Sequence, residues 1–121
     1  MFFAVIARDK PGMSDLRAET KARHKKHLDE GASSLRVLQS GPLLSSEGGE
    51  CGSLLVVEAE TSAAVETFVG SDPYVAAGLF ASFEIHPWLW RRGNRWFASS
   101  SRTGRWLRTG TDQLRSFFDH F

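Results

Sequence analysis

Residues 53–60 read SLLVVEAE, and this run of apolar, β-branched residues predicts a β-strand. Directly after it, Thr61 or Ser62 can begin a helix with an apolar side formed by Ala64, Val65 and Phe68. Residues 70–73, GSDP, interrupt this helix, which resumes as a short turn over residues 73–79.

Three further strands can be placed around this unit. Residues 2–7, FFAVIA, predict the first strand, and the aromatic residues 80–90 predict the last. The remaining strand lies within residues 35–44, and the polar loop 45–52 joins it to residues 53–60.

A first helix is predicted between the first two strands. Ser14 can cap its N-terminus, Asp15 lies near the positive end of its dipole, and Gly31 follows its last turn. Its apolar residues lie among charged ones and are Leu16, Ala18, Ala22 and Leu28.

The order βαββαβ predicts a ferredoxin-like α+β domain, in which two helices cover one face of a four-stranded antiparallel sheet. The second and fourth strands are then the sheet edges, where prolines are tolerated, and Pro42 and Pro87 fall in these two strands. The other sheet face stays apolar and uncovered, so we expect a second copy of the chain to pack there. The sequence therefore predicts a homodimer.

Composition narrows the class of protein. The chain has 121 residues, enough for one core of ordinary size, and its 41% apolar and 24% charged residues are typical of a globular protein. Because no apolar run approaches the ~18 residues of a membrane span, we expect no membrane partner. Cys51 is the single cysteine, which excludes an internal disulfide and fits a cytoplasmic protein.

Charge divides the chain near residue 92. Residues 1–90 carry eight Lys or Arg against twelve Asp or Glu, a balance of −4, whereas residues 91–121 carry seven Arg against two Asp, a balance of +5. We therefore predict a domain at residues 1–92 and a basic, aromatic extension at residues 93–121.

The extension has one helical pattern. Thr111 or Asp112 can cap a short helix whose apolar stripe is formed by Leu114, Phe117, Phe118 and Phe121. The stripe can dock on the domain or on a partner subunit, or the arginines can serve an acidic partner. A net charge of only +1 argues against a nucleic-acid partner.

Short motifs spread over residues 1–90 resemble those of the YciI-like (YCII-related) family. In chain order they are DKPG at 9–12, His24, GPLL at 41–44, GSLLVVE at 52–58, DPY at 72–74 and EIHPW at 84–88. The resemblance implies a dimeric α/β barrel of ferredoxin-like domains, with His24 and Asp72 as a catalytic or ligand-binding pair. It also implies that Gly41, Pro42 and Tyr74 line the pocket. One departure is Lys21-Ala22-Arg23-His24, where the family often has Arg-Pro-x-His.

The types of these two residues fit proton transfer. Histidine changes charge near neutral pH, and a carboxylate bonded to one ring nitrogen leaves the other free to take or give a proton. In this interpretation His24 is the acid/base and Asp72 orients it. The alternatives are structural: Asp72 before Pro73 is typical of a helix N-cap, and His24 lies in a basic stretch typical of a solvated helix surface.

His27 lies three residues after His24 and could share a metal ion with it, but two histidines without a third ligand make a weak site. We therefore expect neither a metal nor an organic cofactor. Two functions remain open. The first is a small cofactor-independent lyase, isomerase or hydrolase that acts on a small molecule through His24 and Asp72. The alternative is a non-catalytic small-molecule-binding or regulatory accessory module.

Overall fold

A computed structural model of the chain describes residues 1–94, and this part contains four strands and three helices. Their bounds, in chain order, are β1 (Phe2–Asp9), α1 (Ser14–Glu30), β2 (Leu35–Leu44), β3 (Glu50–Ala59), α2 (Ser62–Gly70), α3 (Pro73–Ala76) and β4 (Phe80–Trp88). The element α3 is the short turn that follows the interruption of the second helix.

The four strands form one antiparallel sheet in the order β2-β3-β1-β4. The ferredoxin-like fold predicted from the sequence is therefore confirmed, with β2 and β4 at the edges. Pro42 pairs with Ser53 of β3, and Pro87 pairs with Phe3 of β1, so both strand prolines lie on edge strands as predicted.

The core lies between the sheet and the helices. Alternate residues of the central strands point to the helix side, because successive side chains of a strand point to opposite faces. The buried residues of this core include Phe3 and Val5 of β1, Leu35 of β2, Leu55 and Val57 of β3, and Val65, Phe68 and Val69 of α2. This confirms that the helices cover one face of the sheet.

The opposite sheet face is also rich in apolar residues. In the two central strands Ala4 pairs with Val56 and Ile6 pairs with Leu54, and all four side chains alternate with those of the core. Leu54 keeps 39% of its surface exposed.

Strand ends differ from the predicted ones. β1 continues to Asp9, beyond the apolar run, and β3 begins at Glu50 rather than Ser53. The β4 strand ends at Trp88 instead of Trp90. Backbone hydrogen bonds between strands do not depend on side-chain polarity, so pairing continues past the last apolar residue where a neighbouring strand is available.

The prediction that Ser14 caps α1 is wrong. Met13 is the N-cap residue and makes no side-chain cap, while its carbonyl accepts the first helical hydrogen bond from the Arg17 amide at 2.9 Å. The helix therefore starts one residue earlier than the sequence suggests. Its other end is as predicted: Gly31 has a φ of 60° and donates its amide to the His27 carbonyl.

Residues 1–88 form one compact unit, and a second unit begins at residue 89, of which residues 89–94 are described. The domain boundary near residue 92 stays a prediction. The C-terminal helix predicted from Leu114, Phe117, Phe118 and Phe121 lies outside the described residues. Within residues 1–94 we find no helix long and apolar enough to cross a membrane.

Candidate active site

One stripe of α1 supplies most of the polar residues of the site. Arg17, Thr20 and His24 are buried although they are polar, and they follow each other at the spacing of one helix face. Lys21 and Lys25 lie beside them on the same stripe. The first helix therefore presents charged rather than apolar side chains to part of the domain interior.

Asp72 lies at the junction of α2 and α3. Its backbone is extended, and its Oδ1 accepts a hydrogen bond from the Tyr74 amide at 2.9 Å, with Pro73 as the first helical residue. The interpretation of Asp72 as a helix N-cap is therefore confirmed.

The same carboxylate also contacts His24, 48 residues away in the sequence. His24 Nδ1 lies 2.8 Å from Asp72 Oδ2 and 3.0 Å from Oδ1, and both side chains are almost fully buried. Because a carboxylate can only accept, Nδ1 carries the hydrogen. The other ring nitrogen, Nε2, makes no hydrogen bond to residues 1–94 and is not fully enclosed.

Tyr74 fixes the imidazole from a second side. Its ring stacks on the His24 ring with centroids 4.1 Å apart and an interplanar angle of 19°. The guanidinium of Arg17 lies 4.7 Å from the centre of the Tyr74 ring, and Phe80 contacts that ring by its edge at 5.7 Å. The His24 ring is thus held by a hydrogen bond at Nδ1 and by a flat aromatic contact.

Arg17 makes a buried ion pair at the end of the site nearest β1. Its Nε lies 2.7 Å from Asp9 Oδ2, and its Nη2 lies 2.9 Å from Asp9 Oδ1 and 3.0 Å from Ser53 Oγ. Burial alone would lower the pKa of Arg17, but the hydrogen bond and negative charge of Asp9 outweigh it, so the net pKa is raised. The guanidinium therefore stays charged.

A cavity of about 220 Å³ lies beside this cluster. Its wall brings together His24 with the three residues expected to line the pocket, namely Gly41, Pro42 and Tyr74. Asp72 is not part of the wall and lies behind His24. The remaining lining residues are Arg17, Lys21, Lys25, Leu28, Ser40, Glu50 and Ser53.

The sequence reasoning did not find Asp9, Arg17 and Ser53 as members of the site. Asp9 and Ser53 belong to the motifs DKPG and GSLLVVE, but nothing local marks either side chain as a partner of Arg17. A buried arginine on a mostly charged helix has the same sequence signal as a solvated one.

His27 does not join His24 at the cavity. Its Nε2 donates to the Phe68 carbonyl at 2.9 Å, and its ring stacks on Phe68 at 4.2 Å, so it joins α1 to α2. In the described part of the chain no group of three or more His, Cys, Asp or Glu side chains is arranged to hold a metal ion. The absence of a metal or organic cofactor stays a prediction.

We expect Asp9→Asn to lower the free energy of unfolding by about 3 kcal/mol, because it leaves the charge of Arg17 buried without a counter-charge. The matched control is Glu58→Gln, which breaks the ion pair between Glu58 and Arg36 at the surface, where the Arg36 side chain is 61% exposed. This exposed pair should contribute less than about 1 kcal/mol. Urea unfolding of both variants measures the difference, and equal losses would contradict a buried pair at Arg17.

The pKa of Tyr74 is raised above its ordinary value of 10.0 by burial, an effect that the charge of Arg17 partly offsets. Above about pH 10 the unfolded phenol loses its proton while the folded one keeps it, so the free energy of unfolding should fall as the pH rises further. Below that pH this contribution is fully present. Tyr74 is the single tyrosine of the chain, so phenolate absorbance reports it directly.

In Tyr74→Phe the free energy of unfolding should fall less at alkaline pH than in the wild type, because the variant has no phenol to ionise. The lysines titrate in both proteins and so do not account for the difference. A native phenol that ionises at the same pH as the unfolded one would refute the raised pKa.

Residues 1–89 match the YCII-related domain family. Two similar proteins are an uncharacterised protein of Haemophilus influenzae, 28% identical over 93 residues, and protein YciI of Escherichia coli, 29% identical over 97 residues. Each alignment covers 72% of this chain and 95% of the relative.

Among solved structures, the fold is similar to 5-chloro-2-hydroxyhydroquinone dehydrochlorinase (TftG) of Burkholderia phenoliruptrix in complex with 2,5-dihydroxybenzoquinone. The TM-score is 0.69 at 30% identity, over 78% of this chain and 99% of that one. Rv0793 of Mycobacterium tuberculosis, at a TM-score of 0.50 and 19% identity over 76% of this chain and 99% of its own, supports the fold alone. The sequence match over residues 1–89 shows that this chain belongs to the YCII-related domain family.

Proposed function

We propose that this chain is a small enzyme that carries out acid–base chemistry on a small molecule, with His24 as the group that moves the proton. The observation that carries the proposal is the state of the two ring nitrogens. Nδ1 is bound to Asp72, while Nε2 has no hydrogen-bond partner among residues 1–94 and belongs to a side chain of the cavity wall.

The geometry supports a division of roles between the two residues. Asp72 holds the hydrogen on Nδ1, so that the neutral ring offers a lone pair at Nε2. When Nε2 takes a proton from the substrate, the carboxylate stabilises the positive charge that forms on the ring. The proton then returns to another substrate atom or to a leaving group, and the histidine is neutral again. These steps need no metal or organic cofactor.

The similarity to TftG suggests where to look for a substrate. That protein is named for the removal of chloride from a hydroxylated ring and was solved with a quinone. Proton transfer near a carbonyl or phenol oxygen is a reaction that one histidine can catalyse. We therefore propose small aromatic or carbonyl compounds as the first class to test.

Asp72→Asn separates catalysis from folding. Asparagine is as good an N-cap as aspartate, so the cap of α3 should survive and the free energy of unfolding should change by less than about 1 kcal/mol. The charge beside Nδ1 is lost, however, and turnover should fall by about 100- to 10,000-fold, as it should in His24→Gln. His27→Gln is the matched control, since His27 does not line the cavity, and it should keep its turnover.

The first assay is chloride release from 5-chloro-2-hydroxyhydroquinone, followed by mass spectrometry of small carbonyl compounds that raise the melting temperature. Wild-type turnover in both Asp72→Asn and His24→Gln would refute the dyad. Compounds that raise the melting temperature but are never consumed would favour the non-catalytic binding module instead.

We also propose that the chain forms a homodimer through the sheet face opposite the helices. The support is the apolar set Ala4, Ile6, Leu54 and Val56 on the central strands of that face. Leu54→Asp should then give a monomer by light scattering. Phe83→Asp is the control, because Phe83 is 38% exposed, close to the 39% of Leu54, but pairs with Ala7 on the helix side. A monomeric wild type would refute the proposal.

A further inference from the structure

Arg17 keeps two unused hydrogen-bond donors although it is buried. A guanidinium has five N–H groups, and three of those of Arg17 donate to Asp9 and Ser53. The remaining two belong to Nη1, which has no hydrogen-bond partner among residues 1–94 and is not fully enclosed. Arg17 is 3% exposed and is part of the cavity wall, so the cavity is the space that Nη1 can reach.

The hydroxyl of Ser53 has an unused hydrogen at the same wall. Its Oγ accepts from Arg17 Nη2 at 3.0 Å, and its hydrogen finds no acceptor within residues 1–94. Because the guanidinium donates to this oxygen, the hydrogen points away from Arg17. Ser53 is buried and lines the cavity. Buried donors normally have an acceptor, so two such groups side by side indicate an oxygen that comes from a ligand.

The charges of the wall favour a neutral oxygen. The charge of Arg17 is balanced by Asp9. Lys21 Nζ lies 3.0 Å from the carboxylate of Glu50. An anion would therefore gain little from either cation. A carbonyl oxygen has lone pairs and no hydrogen, so it can accept from both donors, and the bond from the charged guanidinium is the stronger of the two.

Tyr74 connects these donors to His24. The centre of the His24 ring lies 4.1 Å from the centre of the Tyr74 ring, and Cζ of Arg17 lies 4.7 Å from it. All three residues line one cavity of about 220 Å³. Since a cavity of about 150 Å³ can hold benzene, there is room for one ring with a carbonyl substituent that contacts both the guanidinium and the imidazole.

We propose that Arg17 Nη1 and the Ser53 hydroxyl bind the carbonyl oxygen of a neutral substrate of about one ring, and that they polarise this carbonyl for proton transfer by His24. Both are then catalytic residues, since they touch the substrate. The proposal rests on the proposed function in that His24 is the base. It adds the class of substrate, a carbonyl compound with a hydrogen on the carbon next to the carbonyl.

The proton transfer starts at that carbon. His24 Nε2 takes its hydrogen, the electron pair of the broken C–H bond forms a C=C bond, and the electrons of the C=O bond move to the oxygen, which becomes an enolate. The negative charge develops beside two donors, and Asp9 holds the guanidinium in place before the reaction. The proton then returns from His24 to the oxygen or to another carbon, so the sum is an isomerisation that needs no further reactant.

The probes are acetophenone, a neutral aromatic ketone, and α-methylstyrene, which has the same shape with a CH2 group in place of the oxygen. Titration of the wild type, followed by NMR of the ligand, should give about tenfold tighter binding of acetophenone, because α-methylstyrene leaves both donors without an acceptor. Equal binding of the two, or no binding of acetophenone, would overturn the proposal.

Ser53→Ala removes one donor and leaves the ion pair of Arg17 with Asp9. It should weaken acetophenone binding by about 3- to 10-fold, the effect of one hydrogen bond, and leave α-methylstyrene binding unchanged. The matched control is Ser62→Ala, which changes an exposed serine of α2 outside the cavity wall. A lower melting temperature of Ser53→Ala with unchanged acetophenone affinity would mean that the hydroxyl is structural, and would refute its assignment.

The infrared carbonyl stretch of bound acetophenone, isotope-labelled at the carbonyl carbon, reports the donors directly. It should lie at lower frequency in the wild type than in hexane, because hydrogen bonds weaken the C=O bond. In Ser53→Ala part of this shift should remain, since Arg17 Nη1 still donates. Loss of the whole shift in this variant would refute the role of Arg17, and a wild-type stretch at the hexane frequency would refute both donors.

Binding and the carbonyl stretch are measured without turnover, so the two proposals can fail separately. If acetophenone binds with a shifted stretch but no compound is converted, the acid–base function fails and the carbonyl site stands. If turnover depends on His24 but acetophenone and α-methylstyrene bind equally, the carbonyl site fails and the dyad stands.

Discussion

The carboxylate of Asp72 accepts hydrogen bonds from two donors that belong to different parts of the chain, the Tyr74 amide of α3 and the Nδ1–H of His24 on α1. One side chain therefore starts a helix and orients an imidazole at the same time. Tyr74 joins these two interactions, because its amide donates to Asp72 and its ring stacks on His24. Capping and ring orientation share one geometry, so selection for either would preserve the other.

The charges around this unit are arranged so that few are buried alone. Arg17 is neutralised by Asp9, and Lys21 lies against Glu50. Arg17 of α1 also contacts the Tyr74 ring, and Tyr74 in turn stacks on His24. A charged residue of α1 therefore packs against the aromatic ring that contacts the histidine. A polar interior of this kind costs more to assemble than an apolar one, and it is tolerated because the buried charged side chains found among residues 1–94 are paired, Arg17 with Asp9 and Asp72 with His24.

The sequence predicted the order of elements and the edge strands well, because alternation, turn residues and the positions of Pro42 and Pro87 are local signals. It also predicted the N-cap at Asp72, which depends on the next residue alone. It missed the pair of Arg17 with Asp9 and the contact with Ser53, since these depend on tertiary packing of side chains whose polarity suggests solvent. The start of α1 was predicted one residue late. Met13 accepts the first helical hydrogen bond with its carbonyl and makes no side-chain cap, so its residue type does not mark it as the N-cap. The pairing of His24 with Asp72 was expected from the family resemblance, because the two residues lie 48 positions apart and no local pattern links them.

The prolines of the edge strands have a consequence for the behaviour of the folded chain in crowded solution. A strand edge normally offers a row of amide hydrogens on which the strand of another molecule can assemble. Proline has no amide hydrogen, and both outer strands, β2 and β4, contain one. The row is therefore broken on each side of the sheet, which protects the protein against open-ended strand-by-strand polymerisation. Apolar packing on a closed face can stop at a defined number of subunits, whereas growth along an edge has no such limit.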